Sequence, residues 1–278
     1  MKTQFFLFAT ASALLAAGLI IFGVSHVETL YTLTTTSAEP LESELTPKQS
    51  PSAPVIESGL QERRYTQLRG EMVDQQIARR GITDRRVLEA IRRVPRHQFV
   101  PESRRHLAYT DSPLPIGHRQ TISQPLIVAE MTQLARTTPQ SKALDVGTGS
   151  GYQAAVLAEL VDQVYSIEIL QSLADKSRDR LKTLGYDNVE VRCDDGYHGW
   201  PEQAPFDLII VAAAPNHVPK PLVEQLAPGG RLVIPVGGRF IQNLLIIEKR
   251  PDGTIHRQNI VPVAFVPMTG EAEKNSAR

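Results

Sequence analysis

The stretch Leu144-Asp-Val-Gly-Thr-Gly-Ser-Gly151 decides how the rest of the chain is read. An apolar run starting at Lys142 leads into it, and Tyr152-Gln-Ala-Ala-Val-Leu-Ala158 follows it, so a strand, a glycine-rich turn and a helix come in succession. Glycine lets a backbone turn sharply and lie against a ligand, and the start of a helix offers free N–H donors. The dinucleotide fingerprint is G-x-G-x-x-G, whereas Gly147, Gly149 and Gly151 run G-x-G-x-G, with Tyr152 where that pattern expects its last glycine. Taken alone, the turn says only that a nucleotide-like ligand sits at a helix start.

Downstream, short apolar runs alternate with helical ones. Strands are expected over 142–146, 163–168, 188–192, 206–211 and 231–236, and helices over 151–160, 170–184 and 219–226. Such alternation implies βαβ units, an α/β fold and a mainly parallel sheet. Runs at 243–248 and 259–266 flank the turn Pro251-Asp-Gly253 and are expected to pair antiparallel at the sheet edge. Upstream, Leu60–Arg80 and Thr83–Arg93 have helical spacing, Gly81 separates them, and Thr83 is the expected N-cap. A Pro-rich loop at 95–117 follows, and Pro125 opens a helix to about Arg136. This predicts an N-terminal helical cap (60–136) on a Rossmann-like core (142–270).

Acids at three strand ends narrow the ligand. Asp145 ends the first core strand beside the glycine turn, Glu168 ends the second, and Asp195 follows the third in Cys-Asp-Asp-Gly196. A carboxylate at the second position accepts from a ribose diol, one at the third from an adenine amino group, and Asp145 is suitably charged for an ammonium. S-adenosylmethionine (AdoMet) uses all three, whereas a pyrophosphate would be repelled by Asp145. The expected cofactor set is therefore Asp145, Gly147, Thr148, Gly149, Gly151, Glu168, Asp195 and Gly196. Asp194 competes with Asp195 for the adenine, and Asp195 is preferred because it precedes Gly196. The bland reading of these acids is as helix and turn caps.

Of the 278 residues, 30 are basic and 30 acidic, so no global field draws the chain to nucleic acid. Nine arginines cluster between Arg79 and Arg105, but no aromatics interleave with them as stacking platforms, so they read as solvated helix faces and no nucleic-acid partner is expected. The lone cysteine, Cys193, reads as a core residue, and no histidine pair has metal-ligand spacing, so no metal is expected. Phe5 to Val24 is an uncharged run of 20 residues, long enough to span a bilayer, and reads as an anchor or signal peptide within a leader over 1–33. Lys2 before it and acids at 28, 39, 42 and 44 after it favour a membrane-anchored or periplasmic domain; a start at Met72 would remove the leader. Prolines 40, 47, 51 and 54 among Ser, Thr and Glu make 34–58 a disordered linker, leaving 59–278 as the folded domain.

Val94-Pro-Arg-His-Gln-Phe-Val-Pro101, Gln120-Thr-Ile-Ser-Gln-Pro125, the glycine turn, Pro228-Gly-Gly-Arg-Leu-Val-Ile-Pro-Val-Gly237 and Phe265-Val-Pro-Met-Thr-Gly270 together resemble the protein-L-isoaspartate O-methyltransferases. The resemblance covers about Glu71 to Gly270, with Gln120–Pro125 its most specific part. It implies methyl transfer from AdoMet to the free α-carboxylate of L-isoaspartyl residues in damaged proteins, with repair through a succinimide. It also implies a cytoplasmic location by family default and Ser123 as the active-site serine; a monomer is expected. Without the resemblance, Ser123 reads as a helix cap. The rival functions are an AdoMet enzyme acting on RNA or a small molecule, a nicotinamide oxidoreductase, and a tethered binding module with a dead site.

Overall fold

The computed structural model describes residues 53–238 and 241–276. The expected anchor at 5–24 and the linker as far as residue 52 lie outside the described residues. Among those described, no helix is long and apolar enough to cross a membrane.

Helix α1 (Ala53–Glu71) begins inside the stretch expected to be linker. Pro54 falls in its first turn, where a missing N–H leaves no bond unmade. The expected continuation to Arg80 is not α-helical. It widens to a π-helical stretch at Met72–Ile77 and tightens to a 3-10 turn at Ala78–Arg80, ending at Gly81 with φ +99°. Met72, Val73 and Ile77 are fully buried there. Helix α2 (Arg85–Arg93) is capped by Asp84 rather than the expected Thr83: its carboxylate accepts from Arg86 N and Val87 N at 2.9 and 3.4 Å. Gln133 Oε1 takes the N–H groups of both Thr83 and Asp84, which sets the helix start one residue later.

Between the cap helices, the expected loop at 95–117 ends in a strand, β1 (Leu114–Gly117), which pairs antiparallel with β2 (Gln120–Ile122) just beyond it. Helix α3 (Pro125–Ala135) follows. The core then runs β3 (Lys142–Val146), α4 (Tyr152–Ala158), β4 (Gln163–Glu168), α5 (Gln171–Thr183) and β5 (Val189–Cys193). It continues with β6 (Phe206–Val211), α6 (Lys220–Glu224), β7 (Leu226–Gly237), β8 (Gln242–Lys249), β9 (Ile255–Val263) and α7 (Glu271–Ser276). The sheet order is β5-β4-β3-β6-β7-β8-β9, parallel through β7 and antiparallel beyond it.

Alternate residues of the central strands supply two cores. Ala143, Leu208, Ile210 and Val233 pack on the face shared with Met72, Ile91 and Met131, so cap and core bury one apolar cluster together. Leu144, Val146, Ile209 and Ile234 pack on the other face with Trp200 and Leu222. A parallel sheet needs this two-sided cover, and it explains why its strands read as unbroken apolar runs.

The last strand ends earlier than its apolar run. Residues 264–266 leave the ladder because the buried Gln242 side chain replaces it: Gln242 Oε1 accepts from Phe265 N at 2.7 Å and Gln242 Nε2 donates to Phe265 O at 3.3 Å. Cys193, expected in the core, is half-buried at the end of β5. Most of the clustered arginines bind groups of the protein itself. Arg80, Arg92, Arg93 and Arg105 pair with Asp111, Asp74, Glu159 and Glu102, and Arg86 donates to the carbonyls of Thr137 and Leu160.

Candidate active site

Strand order reverses between β3 and β6, and a cavity opens at the carboxyl ends of the strands there, as the geometry of open α/β sheets requires. Its floor is Val146–Ser150 from the end of β3, Ile167–Ile169 from the end of β4, Asp195 and Gly196 after β5, and Ala212 and Ala213 after β6. Gln120–Ser123, Tyr152, Gln153 and Val266–Thr269 complete the walls around about 810 Å³ of empty space, open mouth included.

The glycine turn is folded by main-chain bonds. Ile167 O accepts from Gly147 N and Thr148 N at 2.8 and 3.1 Å, and Gly151 N donates to Thr148 O at 2.8 Å. Gly147, Thr148 and Gly149 line the cavity, but Gly151 does not. It caps α4 at φ +88°, where an added Cβ would stand 3.3 Å from Leu181 Cδ1, so its work is to bring α4 against α5. At Gly196 an added Cβ would lie 2.5 Å from Val146 Cγ1, so the chain after β5 rests directly on the end of β3.

Glu168 lies on the cavity wall, only 6% exposed; its Oε2 accepts from Gly149 N at 2.7 Å and its Oε1 from Leu170 N at 3.1 Å. Each oxygen keeps a second lone pair, enough for a diol. Of the two neighbouring aspartates, Asp195 lines the cavity, its oxygens accepting from Tyr197 N and Glu271 N at 2.9 and 2.8 Å. Asp194 instead pairs with Arg192. Asp145 is not a lining residue. It is fully buried beneath the turn, where Oδ2 accepts from Ser166 Oγ at 2.7 Å and Oδ1 has no partner among the described residues. Ser166 Oγ lies 2.6 Å from Thr148 Oγ1, so a chain of hydroxyls joins this carboxyl to a lining residue. Burial pushes the Asp145 carboxyl up to about 7; the Ser166 hydroxyl opposes that rise and the Glu168 charge adds to it.

Ser123 stands in a wall shared with a second groove, since Thr121, Ser123, Ala212 and Val266 line both spaces. The second groove is mainly apolar, with Ile127, Ile241, Val263 and Phe265 on its sides. The structure removes the capping role for Ser123. Helix α3 has no side-chain cap from its own N-cap residue, Gln124, and Leu126 N donates instead to Asp111 Oδ1 at 3.0 Å. Tyr152, Gln153 and Thr121 have no assigned role in the sequence, and Val266–Thr269 stand there only within the resemblance; the fold brings all of them to the cavity. Thr121, like Val266–Thr269, stands within the resemblance; no sequence pattern marks Tyr152 or Gln153 as a lining residue. Among the described residues no cluster of His, Cys, Asp and Glu could hold a metal ion.

A Rossmann-like sheet, a glycine turn, acids following adjacent strands and a serine between two cavities define an AdoMet-dependent methyltransferase. The family model described as Protein-L-isoaspartate(D-aspartate) O-methyltransferase matches residues 67–273, and the chain belongs to that family. A protein-L-isoaspartate O-methyltransferase 2 of Syntrophobacter fumaroxidans is 60% identical over 188 residues, covering 67% of this chain and 76% of that relative. The protein-L-isoaspartate O-methyltransferase of Opitutus terrae is 55% identical over 210 residues, covering 76% and 90%. A solved structure of a putative enzyme of this kind from Plasmodium falciparum, in complex with S-adenosyl-L-homocysteine, is 28% identical with a TM-score of 0.64, covering 72% of this chain and 98% of that one.

Proposed function

We propose that the chain holds AdoMet in the first cavity and transfers its methyl group to the free α-carboxylate of an L-isoaspartyl residue presented from the second groove. The observation that carries this reading is the position of Ser123 in the wall common to both spaces. In this reading Glu168 takes the ribose diol, and Asp195 with Gly196 takes the adenine. The turn at Gly147, Thr148 and Gly149 lies along the methionine part. Asp145 and Gly151 act from behind the turn, Asp145 through the hydroxyls of Ser166 and Thr148, Gly151 by seating α4.

Bound AdoMet supplies an electrophilic methyl on a sulfonium, a good leaving group. The substrate carboxylate is already ionised, so the enzyme has no proton to remove: an O–CH₃ bond forms as the S–CH₃ bond breaks, leaving a methyl ester and S-adenosylhomocysteine. What the protein contributes is alignment and exclusion of water. Ser123 donates to the carboxylate and holds it in line. The ester collapses to a succinimide, which reopens partly to normal aspartate.

The test is direct. With AdoMet, the full chain forms a base-labile methyl ester on an isoaspartyl peptide and none on its aspartyl twin; equal labelling of both peptides refutes the assignment. A monomeric state and membrane contact through residues 5–24 belong to the same reading, the second supported by the uncharged run itself. An impermeant thiol reagent on intact cells, reacting with a cysteine introduced at Ser43, reads the side on which the domain lies.

A further inference from the structure

The main chain of Ser123 is gripped from behind by a buried cation. Arg96 is 0% exposed and pairs with no carboxylate among the described residues. Its Nε donates to Ala108 O at 2.9 Å, its Nη2 donates to Ser123 O at 2.8 Å, and its guanidinium carbon lies 4.8 Å from the centroid of the Tyr152 ring. Burial pulls its pKa down to about 10, which still leaves it charged at neutral pH. A buried cation without an anion is costly, and an apolar side chain would fill the same volume more cheaply. What the guanidinium alone supplies is several donors in a rigid planar fork.

The two carbonyls it bridges bracket residues 109–122, the excursion that carries the hairpin and the cavity wall at Gln120–Ile122. A second tie lies within that excursion. Asp111 accepts from Leu126 N through Oδ1 at 3.0 Å and from Gln124 Nε2 through Oδ2 at 2.6 Å, which fixes the chain on the far side of Ser123. Tyr152, under the guanidinium, lines the first cavity, so one cation touches both the cofactor wall and the serine segment.

We propose that Arg96 is a positioning residue for the transfer: with Asp111 it staples the 109–122 excursion so that the Ser123 hydroxyl stays at the junction of the two cavities. This rests on the functional reading above. A double-mutant cycle on kcat, at saturating AdoMet and isoaspartyl peptide, tests it. Arg96→Lys keeps the charge and loses the fork; it is expected to lower kcat about tenfold or more, to leave the AdoMet Kd within about twofold, and to add little once Ser123 is replaced by Ala. Losses that multiply in the double variant, or an unchanged kcat, overturn the proposal. Should Arg96→Lys fail to fold, Asp111→Asn takes its place in the cycle, where a loss that Ser123→Ala absorbs supports the staple and a loss that multiplies overturns it.

Amide hydrogen exchange provides a readout independent of activity. Weakening the staple raises exchange across 109–122 about tenfold relative to wild type while leaving 147–151 unchanged. Equal rates across 109–122 overturn the staple. A wild-type chain inactive on the peptide refutes the functional reading, and the exchange measurement still decides the staple.

Discussion

The glycine turn at 147–151 and the Gln120–Ser123 segment line the same cavity, yet they are mounted differently. The turn hangs on main-chain bonds to the neighbouring strand end, with Ile167 O receiving two N–H groups and the Glu168 carboxylate a third, from Gly149. Gln120–Ile122 pairs with β1, but Ser123, past the end of that ladder, is held through its carbonyl by the Arg96 side chain, and the chain beyond it by Asp111. A mount made mostly of backbone tolerates changes in the side chains around it, Glu168 excepted. A mount made of two side chains is lost with either of them, so the two halves of the site respond to mutation on different measurements.

Four predictions sharpen that contrast, from the largest expected effect to the smallest. Glu168→Ala removes the proposed ribose acceptor and unties Gly149 N, and is expected to raise the AdoMet Kd about 100-fold by calorimetry, roughly 3 kcal/mol; a change under fivefold would remove the ribose role.

Next comes pH. The Asp145 carboxyl titrates at about 7 in the fold against 3.8 when exposed, so the folded state holds a proton that the unfolded chain has already released. The stability this provides is complete below the unfolded value and is lost as pH rises through 7. Between pH 5 and 8 the wild type is expected to lose on the order of 2–3 kcal/mol relative to Asp145→Asn in denaturant titrations, and parallel curves would show that Asp145 does not titrate there.

Ser123→Ala, on the other mount, is expected to lower kcat some 10- to 100-fold, about 2 kcal/mol, with AdoMet affinity within twofold; a loss confined to affinity would move Ser123 into the cofactor site. Smallest is Gly151→Ala. Its φ of +88° and the close Leu181 predict a stability loss of about 1–2 kcal/mol with AdoMet binding nearly intact, whereas a large affinity loss would place Gly151 against the cofactor after all.

What the chain reveals before folding follows the same division. The β3 turn is legible because strand, glycines and helix are contiguous, and Glu168 and Asp195 because the first ends an apolar strand and the second follows one closely. Thr83 reads as a cap because local pattern cannot show that Gln133, from another helix, claims its N–H. The end of β9 is illegible because the apolar run 259–266 does not announce that Gln242 replaces the ladder at Phe265.

The sequence by itself determined a Rossmann-like α/β core, its glycine turn, the acids at its strand ends and, by resemblance, the family. These depend on periodicity and on neighbours a few residues apart. Only the tertiary structure decided that Asp145 lies beneath the cavity rather than in it, that Asp195 rather than Asp194 lines it, and that Ser123 is not a cap but joins two spaces. The reason is distance along the chain: Ser166 meets Asp145, Asp111 meets Leu126 and Arg96 meets Ser123 across 21, 15 and 27 residues, and no local pattern encodes a hydrogen bond of that span.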